Sequence, residues 1–237
     1  CDIALLIHNE TATGVMLPID AMCATAHELA PDTLIAIDGV SISGAIEVSI
    51  QTLRPDYYLW SLQKDFSTPT IGSVMIVSDR AVQVAAKTPN RGYVLDLVEW
   101  VDRAKGDQTP MTVADLTLRC LIARLEEMQK EGSARFERHT NLIAQQQNWA
   151  KKHGLSYLAQ PGFESHTVSA ICLPEGVTGP DFVAQARKLL NVQLAPGYGS
   201  TADSAFRIAA MGMTTETQMA QILEGLSLIL EHWPQLS

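Results

Sequence analysis

The chain has 237 residues, of which 46% are hydrophobic and 18% charged, and its formal net charge is -9. That length and balance suit one substantial core or two smaller ones and exclude a disordered chain. The acidic charge argues against nucleic-acid binding, which needs clustered Lys and Arg to neutralise phosphates. No apolar run reaches membrane-spanning length, so neither nucleic acid nor membrane is an expected partner. A small anion remains possible, because one local cation and a few backbone N–H groups outweigh distant surface charge.

Cys1, Cys23, Cys120 and Cys172 form no close pair. Zinc or redox work is therefore not indicated, and a reducing, cytoplasmic compartment is expected. The chain opens with Cys1 and Asp2 and runs straight into a strand pattern, as the interior of a longer polypeptide would. A missing or separate N-terminal segment is expected.

Taken in order, Ile3–Ile7 reads as a buried strand and Ile19–Leu29 as a short helix. Leu34–Ile37 is a strand ending at Asp38, Tyr57–Trp60 one ending near Ser61, and Ser73–Val77 a fourth. Their continuous apolar character predicts an α/β sheet covered on both faces. Ligands of such sheets bind beyond the carboxyl ends of the strands, where Asp38, Ser61 and Lys64 fall. Residues 87–112, rich in Gly, Pro, Lys and Asp at both ends, read as a connection. Leu118, Leu121, Ile122, Leu125 and Met128 then recur at helical spacing, as do Phe136, His139, Leu142, Ile143, Gln146 and Trp149, with Gly132 as the break. Val168–Cys172, Val192–Ala195 and Ala205–Ile208 are strand candidates. Thr178 with Asp181, and Thr215 with Gln218, mark two helix starts. The division predicted is a partial large α/β domain over 1–112, bridging helices over 113–153 and a small C-terminal α+β domain over 154–237.

A lysine held against an apolar wall can become a nucleophilic amine, and Lys64 follows the strand Tyr57–Trp60 by a few residues. Taken alone, a lysine after a strand is most often a solvated surface residue. Asp38 leaves a strand sharply at Gly39–Val40–Ser41, as a ligand-binding acid or as a turn residue. Thr11 and Thr13 offer short hydroxyls after the first strand, for a ligand oxygen or for a turn. Thr109, before Pro110, can bind an anion or close a loop. Arg207 sits in an apolar segment and needs an anionic partner, structural or substrate-borne. The six histidines form no compact metal pattern, and no metal site is predicted.

Together, His8–Asn9–Glu10–Thr11–Ala12–Thr13–Gly14, Asp38–Gly39–Val40–Ser41, Ser61–Leu62–Gln63–Lys64, Thr109–Pro110 and Phe206–Arg207–Ile208–Ala209–Ala210–Met211–Gly212 resemble the class V aminotransferases of pyridoxal-phosphate (PLP) fold type I. The resemblance is closest to the alanine–glyoxylate and serine–glyoxylate group and corresponds to roughly the C-terminal three-fifths of a member.

It implies that Lys64 forms the Schiff base and carries the proton, and that Asp38 binds the pyridine nitrogen. Val40 supports a ring face, Thr11 and less directly Thr13 touch the cofactor, Gln63 and Ser61 assist at the phosphate, and Arg207 holds the substrate carboxylate. It also implies a homodimer in which Thr109 reaches the other subunit's phosphate, and exchange of an amino group between a small amino acid and a 2-oxo acid such as glyoxylate or pyruvate. The family's phosphate-binding turn and ring-stacking residue come from a region before Cys1. Other departures are Gly106, Ala12, Ala209–Ala210 and the stretch after Lys64. Alternatives are a phosphoserine-type aminotransferase, another class V PLP enzyme such as a cysteine desulfurase, and a noncatalytic truncated domain. Gln63 before the lysine and the lack of a cysteine in a convincing active-site loop count against the desulfurase.

Overall fold

The apolar runs before residue 80 become strands of one sheet in the computed structural model, which describes residues 2–70 and 72–236. Cys1, Ile71 and Ser237 lie outside the described residues. The strands are β1 (Ile3–Ile7), β4 (Leu34–Asp38), β5 (Tyr57–Ser61) and β6 (Ser73–Val77), in the order β1-β4-β5-β6; between β1 and β4 come the short β2 (Asn9–Glu10) and β3 (Val15–Met16) and helix α1 (Ile19–Leu29). β1, β4 and β5 are parallel, whereas β6 returns antiparallel to β5. Three carboxyl ends therefore open on one rim. Ile19 and Cys23 of α1 pack on Ile35, Ile37 and Tyr58, with Leu53 of α2 (Ile50–Leu53) closing the layer.

The expectation of strands covered on both faces is met by β4 but not by β1, where Leu5 is 77% exposed, nor by β6, where Met75 and Ile76 are exposed. Residues 87–112 also hold more order than a connection. Following α3 (Asp79–Lys87), helix α4 spans Leu97–Ala104, with the Asp96 side chain accepting from the Val98 N–H. Its eight residues were too short a stripe against the Gly- and Pro-rich flanks.

Two long helices follow, α5 (Asp115–Glu131) and α6 (Ala134–Lys152), broken at Gly132, whose φ of 60° suits a residue without Cβ. Beyond them a second sheet has the order β7-β9-β8, from β7 (Val168–Cys172), β8 (Ala195–Pro196) and β9 (Ala205–Ala209), all antiparallel. Only two residues of the Val192–Ala195 candidate and its neighbour pair as a strand. Helices α7 (Gly179–Leu190) and α8 (Glu216–Glu231) begin where the capping residues predicted: Thr178 accepts from Asp181, and Thr215 and Gln218 form a reciprocal box. A short α9 (Trp233–Leu236) ends the described chain. Phe182, Phe206, Ile208, Met219, Leu226 and Ile229 fill the core here, closed from the other side by Leu142 and Trp149 of α6. Gly14 joins the two regions: a Cβ there would come within 3.0 Å of the Val168 carbonyl and the Ala170 amide of β7.

Candidate active site

At the rim where β1, β4 and β5 end, Ile7, Asn9, Glu10, Thr11, Asp38, Val40, Ser41 and Lys64 surround a cavity of about 110 Å³. Parallel pairing fixes this. Ile7 stands opposite Asp38 and Asp38 opposite Leu59, so the residues leaving each strand converge. The side chain of Asp38 is oriented by its own turn, with Oδ1 accepting the Val40 N–H at 2.8 Å.

The wall behind the cavity is a buried polar network. Asn9 donates to Ser41 Oγ at 2.9 Å and to Thr167 Oγ1 at 3.3 Å, Ser41 Oγ donates back to the Asn9 carbonyl, and Thr167 Oγ1 donates to the Ser41 carbonyl at 2.6 Å. Asn9 Oδ1 is buried without a hydrogen-bond partner and stands as an acceptor in this wall. Beneath it, Tyr58 Oη accepts from Ser43 Oγ at 3.1 Å and meets His8 Nδ1 at 3.3 Å. Burial pushes the His8 imidazole down and the Tyr58 phenol up, so both are neutral around pH 7. Gly39 is required here: a Cβ would come within 2.4 Å of the Tyr58 hydroxyl.

Four of the residues singled out from sequence, Thr11, Asp38, Val40 and Lys64, line this cavity. Arg207 reaches its edge from β9, half-buried, with Nη1 donating to the Thr11 carbonyl at 3.3 Å and Nε to the Pro196 carbonyl at 3.0 Å. Among the described residues no carboxylate pairs with it at ion-pair distance, and its guanidinium carbon lies 5.9 Å from the centre of the Tyr198 ring. Thr13, Ser61, Gln63 and Thr109 are not part of the lining. Thr13 lies in the turn between β2 and β3, Gln63 is exposed, and Thr109 is exposed with Oγ1 donating to the Met111 carbonyl. Ser61 Oγ is buried without a partner at the end of β5.

Sequence reasoning quoted Asn9 and Ser41 but assigned them no role, and it missed Thr167 altogether. Polar residues at strand ends were the available signal for the first two. Thr167 comes from 126 residues further along the chain than Ser41 and gave none. A larger cavity, of about 680 Å³, lies between the sheet and helices α5 and α6, lined by Trp60, Phe66, Ile76, Leu125 and Met128 among others. Its lining is mostly apolar, with Glu47 and Arg135 among the exceptions, and it includes neither Lys64 nor Asp38.

Lys64 and Asp38 thus lie at neighbouring parallel strand ends and Arg207 comes from a second, antiparallel sheet, and this larger α/β sheet with a smaller C-terminal α+β region is the architecture of PLP fold type I. The Aminotransferase class-V model matches residues 1–147, and the chain belongs to that family. It is 30% identical over 232 residues to serine–glyoxylate aminotransferase of Arabidopsis thaliana, covering 95% of this chain and 57% of the relative. Aspartate aminotransferase of subgroup IV from Thermus thermophilus superposes with a TM-score of 0.88 at 25% identity, over 98% of this chain and 65% of that one. Ureidoglycine–glyoxylate aminotransferase from Bacillus subtilis, at 24% identity, shares the fold with a TM-score of 0.89 over 98% of this chain and 61% of that structure. The chain thus spans less than two thirds of the length of these relatives. The family's cofactor is pyridoxal phosphate, and the residues present suit part of its site: an amine, an acid with one oxygen held by its own turn, and an apolar Val40 side chain share one cavity.

Proposed function

We propose that the protein carrying this chain is a PLP-dependent transaminase that exchanges an amino group between a small amino acid and a 2-oxo acid such as glyoxylate or pyruvate. The observation that supports this most is the meeting of Lys64, Asp38, Val40 and Thr11 around one cavity whose edge Arg207 reaches through Thr11. When bound, the cofactor supplies an electron sink for the bonds at the substrate Cα.

Every other part falls to the chain. Lys64 would hold the cofactor covalently, and its amine, when free, would move the proton at the substrate Cα. Asp38, with Oδ1 engaged by Val40, offers its other oxygen to the ring N–H and so keeps that nitrogen protonated. Val40 would support one ring face, and Thr11, and secondarily Thr13, would donate to the cofactor. Ser61 and Gln63 serve the phosphate. Arg207 takes the substrate carboxylate with the N–H groups left free by Pro196 and Thr11, which fixes the Cα bond against the ring.

The assembly proposed is a homodimer in which the exposed Thr109 loop meets the phosphate of the second subunit. The division proposed is a partial large α/β domain over 1–112, bridging helices over 113–153 and a small α+β domain over 154–237, and the two separate sheets with α5 and α6 between them support it. Cys23, Cys120 and Cys172 are free thiols, in keeping with a reducing cytoplasmic setting.

The test is a half-reaction screen on the complete polypeptide, followed by the cofactor's visible absorbance. Serine or alanine should convert the bound cofactor to its amine form, and glyoxylate or pyruvate should restore it. Binding without conversion by any amino acid would contradict a transaminase.

A further inference from the structure

Asp65 follows Lys64 directly, and its side chain is sealed from solvent, as is that of His139 on α6. Asp65 Oδ1 accepts the Gly212 N–H at 3.2 Å, while Oδ2 has no hydrogen-bond partner. His139 Nε2, also buried and without a hydrogen-bond partner, lies 3.8 Å from Oδ1. The other ring nitrogen is 2.7 Å from the Ala210 carbonyl. A carbonyl only accepts, so Nδ1 of the neutral ring carries a proton and Nε2 carries none. At 3.8 Å the imidazole and the carboxyl group are too far apart for a hydrogen bond, and away from water each is held at least cost without charge, the carboxyl protonated and the ring neutral.

Both residues also grip the same turn. Residues 210–212 lie just beyond β9, which carries Arg207, and Arg138 secures the turn further by donating to the Gly212 carbonyl at 2.9 Å and the Thr214 carbonyl at 3.0 Å. Gly212, at a φ of 65°, lies against the Lys64 loop so closely that a Cβ would stand 3.5 Å from the Lys64 carbonyl oxygen and collide with Ser67 Oγ. The backbone that presents the amine therefore rests on the turn leading away from the arginine.

We propose that Asp65 and His139 are positioning residues, an uncharged buried pair whose separate grips on the turn after β9 lock the Lys64 loop to it and fix the spacing of Lys64 and Arg207. The importance of that spacing rests on the reading of Lys64 and Arg207 given above; the uncharged pair does not.

Burial pushes Asp65 up to about 7 and His139 down to about 4, which leaves the carboxyl protonated and the imidazole neutral between those two values. The charged groups facing it are Lys64 on its own loop, Arg135 and Arg138 on α6, and Glu131 at the end of α5. Lys64 and Arg138 lower Asp65, but by less than burial raises it. Neither the 39–46 segment beside Gly44 nor the 210–214 turn contains an ionisable side chain.

In the unfolded chain the same two groups titrate from 3.8 and 6.5. Between about pH 4 and 6.5 the folded pair holds its proton on Asp65 and the unfolded chain holds one on His139, so the pair adds no pH slope to stability. Single substitutions uncover two opposite slopes. Asp65→Asn leaves a histidine with a lowered pKa, whose stability contribution is lost as pH falls from about 6.5 to 4. His139→Gln leaves a carboxyl with a raised pKa, whose contribution is lost as pH rises from about 4 to 7.

The experiment measures Tm against pH from 4.5 to 7.5 for the complete polypeptide and both variants, without added cofactor. Opposite tilts of several degrees relative to the native chain are expected, and parallel profiles would overturn the proposal. If either variant fails to fold, ¹⁵N NMR of the native imidazole decides. A ring protonated at Nδ1 alone through pH 5–7 supports the uncharged pair, and an imidazolium protonated at both nitrogens overturns it. With cofactor and substrate, Asp65→Asn should keep the Lys64 adduct but lose roughly 10-fold in kcat, with a shifted pH profile; an unchanged kcat and profile would overturn the positioning role. Absence of the Lys64 adduct in the native protein sinks the lysine assignment instead and leaves the Tm tilts as they are.

Discussion

At the residue scale the site is a set of side chains with narrow duties, and Arg207 shows how such a duty can be tested. Its Nε and Nη1 are held by two carbonyls, so the guanidinium is aimed before any substrate arrives. Arg207→Ala should cost about 3 kcal/mol of transition-state binding, roughly 10²-fold in kcat/KM for the amino acid, while cofactor affinity changes little. Steady-state kinetics beside a cofactor titration will separate the two, and equal losses would point to a structural role. Asp38→Asn should leave phosphate-anchored cofactor in place yet slow Cα proton removal, seen in single-turnover absorbance; an unchanged rate contradicts its electronic role. Lys64, Asp38 and Arg207 were legible because a charge next to an apolar run needs a reason. His139 was not, since a histidine on a helical stripe reads the same whether it fills space or meets Asp65 across 74 residues of chain.

At the element scale, period and capping explain why so much of the fold could be read from sequence. The strands ending at Asp38 and Ser61, the cap at Thr178 and the box at Thr215 fall where continuous apolar runs and side-chain chemistry put them. The antiparallel direction of β6 was not legible, because an apolar strand of five residues carries no sign of its pairing partner's direction. Nor was α4, whose eight residues leave no side chain fully buried. The loop after β4 depends on a close approach that only glycine permits. Gly39→Ala should destabilise the fold by about 1–3 kcal/mol through overlap with Tyr58, whose ring is buried and cannot swing aside. Urea unfolding will measure it as a lower midpoint at constant m-value, and an unchanged midpoint would show that the loop yields.

At the scale of the whole molecule, one sheet ends at the cavity that Asp38 and Lys64 line, a second carries Arg207 toward its edge, and helices α5 and α6 join them. Contacts such as Gly14 on β7 and Thr167 on Ser41 make the relation of the two sheets part of the site. The proposed homodimer adds a further expectation. Thr109→Val should weaken cofactor binding by several-fold without moving Tm, as read by cofactor titration and calorimetry, whereas unchanged affinity would remove Thr109 from the phosphate site.

The account depends above all on Lys64 being the residue that bonds to the cofactor. Borohydride reduction of the cofactor-loaded polypeptide, followed by peptide mapping, should place a single reduced adduct on Lys64, and Lys64→Ala should abolish it. The same adduct persisting in that variant, or mapped to another lysine, would contradict the account.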